Sequence, residues 1–260
     1  MFQHWFLLPV GVAISTLVMS AGVSGATLWV PVYLLWLKLE APVAFWLGLL
    51  TMLFGFGSGV TRNFRDGTFD GVLVRRYLLV AVPAALVGGW VSGSVNQALL
   101  VALFGAFLIV YAIVIGGRAL GMRSDSDRHD RVPVSIALTG GALTGLISIG
   151  IGILAMPSVV GHRASRSPGA AIGSLVMIIF FTSLAAAIGR MRPSLISELR
   201  RDSTQIIAIA IWAVPGVIVG GQIGPRIAQM LPSERHARLY CSAILLVVGV
   251  LTLVRAAAIR

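Results

Sequence analysis

The chain has 260 residues, 57% of them hydrophobic and only 11% charged, with a formal net charge of +11. Its mean hydropathy of +0.94 excludes an ordinary soluble domain and places the chain in lipid. A single cysteine, Cys241, rules out an intrachain disulfide or a thiolate metal cluster, and arginines scattered over short loops rule out a nucleic-acid partner.

No Lys, Arg, Asp or Glu occurs within 6–37, 41–61, 77–117, 132–161, 167–189, 203–225 or 239–254. A charge at mid-bilayer costs about 2.5–3.5 kcal/mol on insertion scales, so these runs mark segments held in hydrocarbon. The first begins as an apolar helix, Phe6 to Ser20, breaks at Gly22-Val23-Ser24-Gly25, and resumes from Thr27 to Leu37 with Pro31 near its first turn. Met1 to Trp5 carries no Lys or Arg, so this run does not read as a cleaved secretory signal. At 1.5 Å per residue its two rods are about 22 Å and about 16 Å long, lengths that suit a hairpin reaching mid-bilayer. Residues 41–61 form a plain membrane helix ending at Arg62. The run 77–117 holds two crossings, 77–92 and 97–117, that turn near Ser92 to Asn96, and Pro83 lies inside the first and kinks it.

The polar stretch 118–132 links a first repeat, 1–117, to a second, 133–260. The second repeat follows the same plan. It has a broken segment with Ser148, Gly150 and Gly152 before Pro157, then plain helices at 167–189, 203–224 and 238–255. Pro31 matches Pro157, Pro42 matches Pro168 and Ala44 matches Ala170 at an offset of 126. Pro83 with Gly88-Gly89 matches Pro215 with Gly220-Gly221 at an offset of 132, the increase falling in a longer loop, Arg190 to Asp202. The paired glycines let helices approach closely. The fold class is therefore an all-α polytopic membrane protein with two homologous halves, each a re-entrant broken segment plus three transmembrane helices. An odd number of crossings per half makes the repeats inverted. The balance of positive loop charge does not choose between this topology and eight full crossings.

A duplicated, interrupted membrane helix is the strongest pointer a sequence gives to a transporter's binding site. The second rod of each pair turns its N-terminal amides and positive helix end into the break, which suits an anion without any charged side chain. The candidate substrate-binding residues are Gly22, Ser24, Gly25, Ala26 and Thr27 in the first break, and Ser148, Ile149, Gly150, Ile151 and Gly152 in the second. Ser24, Thr27 and Ser148 add hydroxyl donors, as does Ser174 within 167–189. A small anion is expected at the midplane between the breaks, with 41–61 and 167–189 lining its path and alternating access moving it. No carboxylate lies at membrane depth to serve as a proton relay. Arg62 and Arg190 read as snorkelling residues at helix ends. His162, Arg163 and Arg166 follow the second rod as Lys38 follows the first, and read as loop charge.

Two other functional classes stay open. Gly22-Val23-Ser24-Gly25 is a G-x-S-G that resembles the nucleophile motif of rhomboid-type intramembrane proteases, yet His4, His129, His162 and His236 sit at segment ends or in loops, leaving Ser24 without a buried base. An accessory membrane subunit with no transport of its own is the other. No phosphate loop, nucleotide fingerprint or metal-ligand spacing occurs, so neither a cofactor nor a metal is expected.

Taken in order, these residues resemble the TauE/SafE family, the sulfite-exporter-like permeases, whose halves each open with G-x-G-G-G and then Pro. The second half carries Gly145, Gly150, Gly152 and Pro157, then Pro215-Gly216, Gly220, Gly224, and Leu231-Pro232 leading to Arg238. The first retains Gly22, Gly25 and Pro31, with Arg65-Asp66-Gly67 to Asp70 resembling the family's loop between its second and third helices. Ser24-Gly25-Ala26 and Gly150-Ile151-Gly152 stand where the family has its glycine triplets. The resemblance implies a multi-pass permease of a bacterial inner membrane for sulfite, a sulfonate or a sulfur-bearing organic acid. Its partners would be this small anion and the lipid bilayer, with homo-oligomerisation left open.

Overall fold

Apolar runs bounded by charge become helices here because lipid leaves main-chain polar groups no other partner. The computed structural model describes residues 4–21, 25–120, 133–160, 168–230 and 234–259, and among these there is no strand. In chain order the helices are α1 (Leu7–Ala21), α2 (Ala26–Pro31), a π-helical stretch (Val32–Trp36), α3 (Ala41–Asp66), α4 (Gly71–Ser92), α5 (Gln97–Ala119), α6 (Val134–Ile147), α7 (Ile151–Val160), α8 (Pro168–Gly189), α9 (Pro193–Arg201), α10 (Ser203–Met230) and α11 (Glu234–Ala258). Six of them, α3, α4, α5, α8, α10 and α11, are long and apolar enough to cross a membrane. The expected all-α polytopic class is what forms, and α4 gives way to α5 at the expected turn.

One element departs from the sequence reading. The stretch Arg190 to Asp202, expected as a loop, contains α9, which starts on Pro193 and buries Leu195. Proline suits a first helical turn, and the single apolar stripe is too short to register as a membrane segment. Arg201 ties the end of α9 to Glu40 at 3.2 Å, an exposed pair of little energetic weight.

Beside this pair, one carboxylate oxygen of Glu198 is buried with no hydrogen-bond partner among the described residues. Burial, and next the charge of Glu40, raise its pKa above the usual carboxylate value. A carboxyl with a raised folded-state pKa favours folding in its protonated form. That contribution is present at acid pH and is lost as pH rises through the raised value. Glu198→Gln is therefore expected to flatten the pH dependence of thermal unfolding and to raise the midpoint slightly at neutral pH. Unfolding curves in detergent from pH 4 to 8 check this, and an unchanged pH profile refutes it.

The chain divides into two compact units. Unit 1 comprises Met1–Gly55, Val95–Ser124 and Ser194–Arg260, and unit 2 comprises Phe56–Ser94 and Asp125–Pro193, so each draws on both halves of the sequence. In unit 1, α1 packs along α10 and α5 along α11. In unit 2, α6 packs along α4, and α4 also packs along α8. Each half's broken segment thus lies on the other half's Pro-Gly-Gly helix, so both units repeat one pairing.

Glycine makes that pairing close. A Cβ on Gly216 would stand 2.5 Å from the Leu8 carbonyl oxygen, and one on Gly220 2.7 Å from that of Val12. In unit 2 a Cβ on Gly88 would overlap the Ala142 carbonyl, and one on Gly141 the Ala81 carbonyl. With no hydrophobic force separating helix from lipid, such close packing is a main source of helix association.

Candidate functional site

The second break starts where α6 ends. Ser148 takes the left-handed conformation, φ 63°, and Gly150 follows at φ 152°. A Cβ on Gly150 would lie 2.8 Å from Leu143 Cβ and 3.0 Å from the Gly140 carbonyl oxygen, so both space and φ call for glycine. The chain then reverses. The Ile151 amide donates to Thr144 Oγ1 at 2.9 Å, and a Cβ on Gly140 would lie 3.1 Å from Ile151 Cα. In a straight helix those two residues would be about 16 Å apart. Farther on, the Tyr77 hydroxyl bonds Ser158, whose own hydrogen goes to the Ala155 carbonyl, so Tyr77 is the donor. Along α4, Ala85 meets Gly145 and Ala81 meets Gly141, while Tyr77 reaches α7. The arm α7 therefore runs back beside α6.

The first broken segment also returns on itself. The rings of Phe6, just before α1, and Trp36, at the end of the π-helical stretch, stack with centroids 5.0 Å apart. A straight span would separate them by about 45 Å. Its second arm is anchored in unit 1 by Trp29, Tyr33 and Leu34, all almost fully buried. Thr51 donates its hydroxyl hydrogen to the Leu47 carbonyl, so Tyr33 donates to Thr51 Oγ1, at 2.7 Å.

The predicted site residues fall as follows. Gly22 and Ser24 lie outside the described residues. Gly25 is helical, φ −57°, at the start of α2, and Ala26 and Thr27 are fully buried. Ser148, Ile149, Gly150, Ile151 and Gly152 are all buried. Of the amides expected to face an anion, that of Ile151 is taken by Thr144.

Ser174 is fully buried on α8 and acts as a tie. Its oxygen accepts from the Asp70 amide at 2.8 Å, and its hydrogen goes to the Ala170 carbonyl. Asp70 in turn caps α4 by accepting from the Val72 and Leu73 amides at 2.9 and 3.0 Å. Ser174→Ala is expected to cost about 1 kcal/mol by stranding the Asp70 amide. Thermal unfolding should register that loss while the substrate KM stays unchanged. A shifted KM with an unchanged midpoint would instead make the hydroxyl a ligand.

Sequence reading missed two features on and just after α8. Thr182 and Ser183 are fully buried, and neither hydroxyl has a hydrogen-bond partner among the described residues. Arg190, expected to snorkel at the interface, is only 4% exposed. Its Nε donates to the Gly145 carbonyl at 3.0 Å and its Nη2 to the Leu146 carbonyl at 2.6 Å. A charge directly after an apolar run looks interfacial in a sequence, and nothing local reveals the carbonyls that draw it inward. Among the described residues no three His, Cys, Asp or Glu side chains gather as a metal site.

The family model described as "Sulfite exporter TauE/SafE" matches residues 7–252, from the start of α1 into α11. The chain belongs to the TauE/SafE family. This TauE/SafE chain is 30% identical over 171 residues to a probable membrane transporter protein of Methanocaldococcus jannaschii, covering 64% of this chain and 61% of that protein. It is 27% identical over 168 residues to a probable membrane transporter protein of Xylella fastidiosa, covering 62% of this chain and 59% of that one. The chain thus spans about three fifths of the length of these curated relatives. No solved structure matches it. Six apolar spans and membership in a transporter family identify a multi-pass membrane protein.

Proposed function

We propose that this TauE/SafE protein is a permease for sulfur-containing anions, namely sulfite, a sulfonate or a sulfur-bearing organic acid. The observation that carries the reading is that both broken apolar segments fold back on themselves, Phe6 stacking on Trp36 in the first and the Ile151 amide reaching Thr144 in the second. In a bilayer such interruptions persist only where packed protein or a cavity receives the freed backbone groups, and they recur at transporter substrate sites. The anion would be held by main-chain donors at the two breaks, with the Ile151 amide, held by Thr144, not among them. If both hairpins re-enter the bilayer, each half has three crossings and the halves would be inverted repeats, with alternating access coming from one half rocking against the other. The buried hydroxyls of Thr182 and Ser183 support α8 as a wall of the path, since an unsatisfied polar group there costs about 1–3 kcal/mol. With no carboxylate at membrane depth, the anion gradient and membrane potential drive the flux.

The test is purified protein in liposomes, loaded with sulfite or a small sulfonate and followed by efflux. Saturable efflux that grows when the interior is made negative is the expected result. A monodisperse, folded protein that moves neither anion at either polarity leaves the accessory-subunit reading in its place.

A further inference from the structure

The end of α6 presents a problem that its own sequence does not solve. The last carbonyls of any helix lack intrahelical partners and carry its negative end. Here that end is buried in unit 2, next to the break. An exposed negative helix end would oppose an anion arriving at Ser148 to Gly152.

Arg190, just past the end of α8, meets that end. The arm α6 reaches along α4 from Ala81 towards Gly89, and Gly89 packs against the Ala186 carbonyl oxygen of α8 and the Arg190 amide that follows it, where a Cβ would stand 2.7 and 3.1 Å away. The tip therefore arrives where α4 and α8 finish, and Arg190 is the residue just past the end of α8. Its planar fork bridges two successive carbonyls, Gly145 and Leu146, a geometry that a lysine ammonium does not reproduce. A buried guanidinium is tolerated only when its donors are matched, so geometry and charge are tied together at this point.

We propose that Arg190 is a positioning residue for transport: it latches the tip of the second re-entrant segment and cancels the negative end of α6. The latch rests on geometry alone, while its consequence for an anion rests on the permease reading above. Loosening the latch lets the tip move and opens the break to small reagents. Removing the charge returns a repulsive helix end to the anion's path.

The full chain tests this in a Cys241→Ala background, where Ser148→Cys supplies the only thiol, close in size to the hydroxyl it replaces. Its rate of alkylation by N-ethylmaleimide reports opening at the break without any substrate. Arg190→Gln and Arg190→Lys are both expected to speed alkylation by at least about tenfold, the effect of losing a charge-assisted hydrogen bond. Arg190→Lys should retain sulfite flux with a raised KM, and Arg190→Gln should lose it. Alkylation within about twofold of the parent in a folded Arg190→Lys protein overturns the latch, even where Arg190→Gln does not fold. Faster alkylation with no sulfur-anion flux even from the unmutated protein keeps the latch and sinks the permease reading. Flux that persists with unchanged alkylation does the reverse.

Discussion

Gly145→Val is expected to yield little folded protein. A Cβ there would overlap the Ala85 carbonyl oxygen and lie 2.5 Å from the Gly89 amide nitrogen and 2.8 Å from Gly88 carbonyl carbon. All three atoms are main chain of α4, so no rotamer change relieves the clash, and α6 must separate from α4 along its length. Overpacking typically costs about 1–3 kcal/mol and more where only backbone can yield. The displacement also carries the Gly145 carbonyl away from Arg190. Gly117→Val is the control, because nothing lies within 4 Å of its Cβ position on α5. That variant should stay within about 0.5 kcal/mol of the parent, as surface substitutions usually do. Detergent size-exclusion yield and unfolding midpoint read both, and equal behaviour of the two variants would show that α4 and α6 do not pack as described.

Gly150→Ala should fold and lose transport, while Gly25→Ala should retain it. At φ 152° and with Leu143 Cβ 2.8 Å from the new methyl, Gly150 has no room for alanine. Holding an L side chain in such a conformation costs about 1–3 kcal/mol, and the turn relaxes by shifting Ser148 and Ile151. Gly25 already has helical angles, and its Cβ would sit 3.7 Å from Met52 Cγ, an ordinary contact. Sulfite efflux should therefore fall by more than about tenfold in the first variant and change by less than about twofold in the second, the difference corresponding to the strain energy above. Equal flux from the two would remove the second break from the substrate path.

Much of the candidate site could be read from residue order. Gly25, Pro31, Gly150 and Pro157 announced two interruptions in segments that had to lie in hydrocarbon, and interruptions there need a reason. Rod lengths already favoured hairpins, and the stacking of Phe6 on Trp36 and the contact of Ile151 with Gly140 show both segments turning back. Residue type did not disclose how donors are spent. The Ser174 hydroxyl looked available and is committed to Ala170, the Ile151 amide looked free and is held by Thr144, and Arg190 looked solvent-bound and is buried. The Ser174 bond is a local turn-to-turn contact that competes with any ligand, the Thr144 bond needs the chain to reverse, and the Arg190 bonds need α6 to arrive from 45 residues away, so residue type alone encodes none of the three.

Membrane residence and the six long spans were settled by sequence alone, because hydrocarbon excludes charge and so writes its boundaries directly into composition. Only the tertiary structure decided that α1 lies on α10 and α6 on α4, that α9 forms, and that Arg190 closes the end of α6. Those outcomes depend on glycine-lined backbones meeting at van der Waals distance between segments far apart in the chain, and helical periodicity says which face is small without saying which helix will cover it.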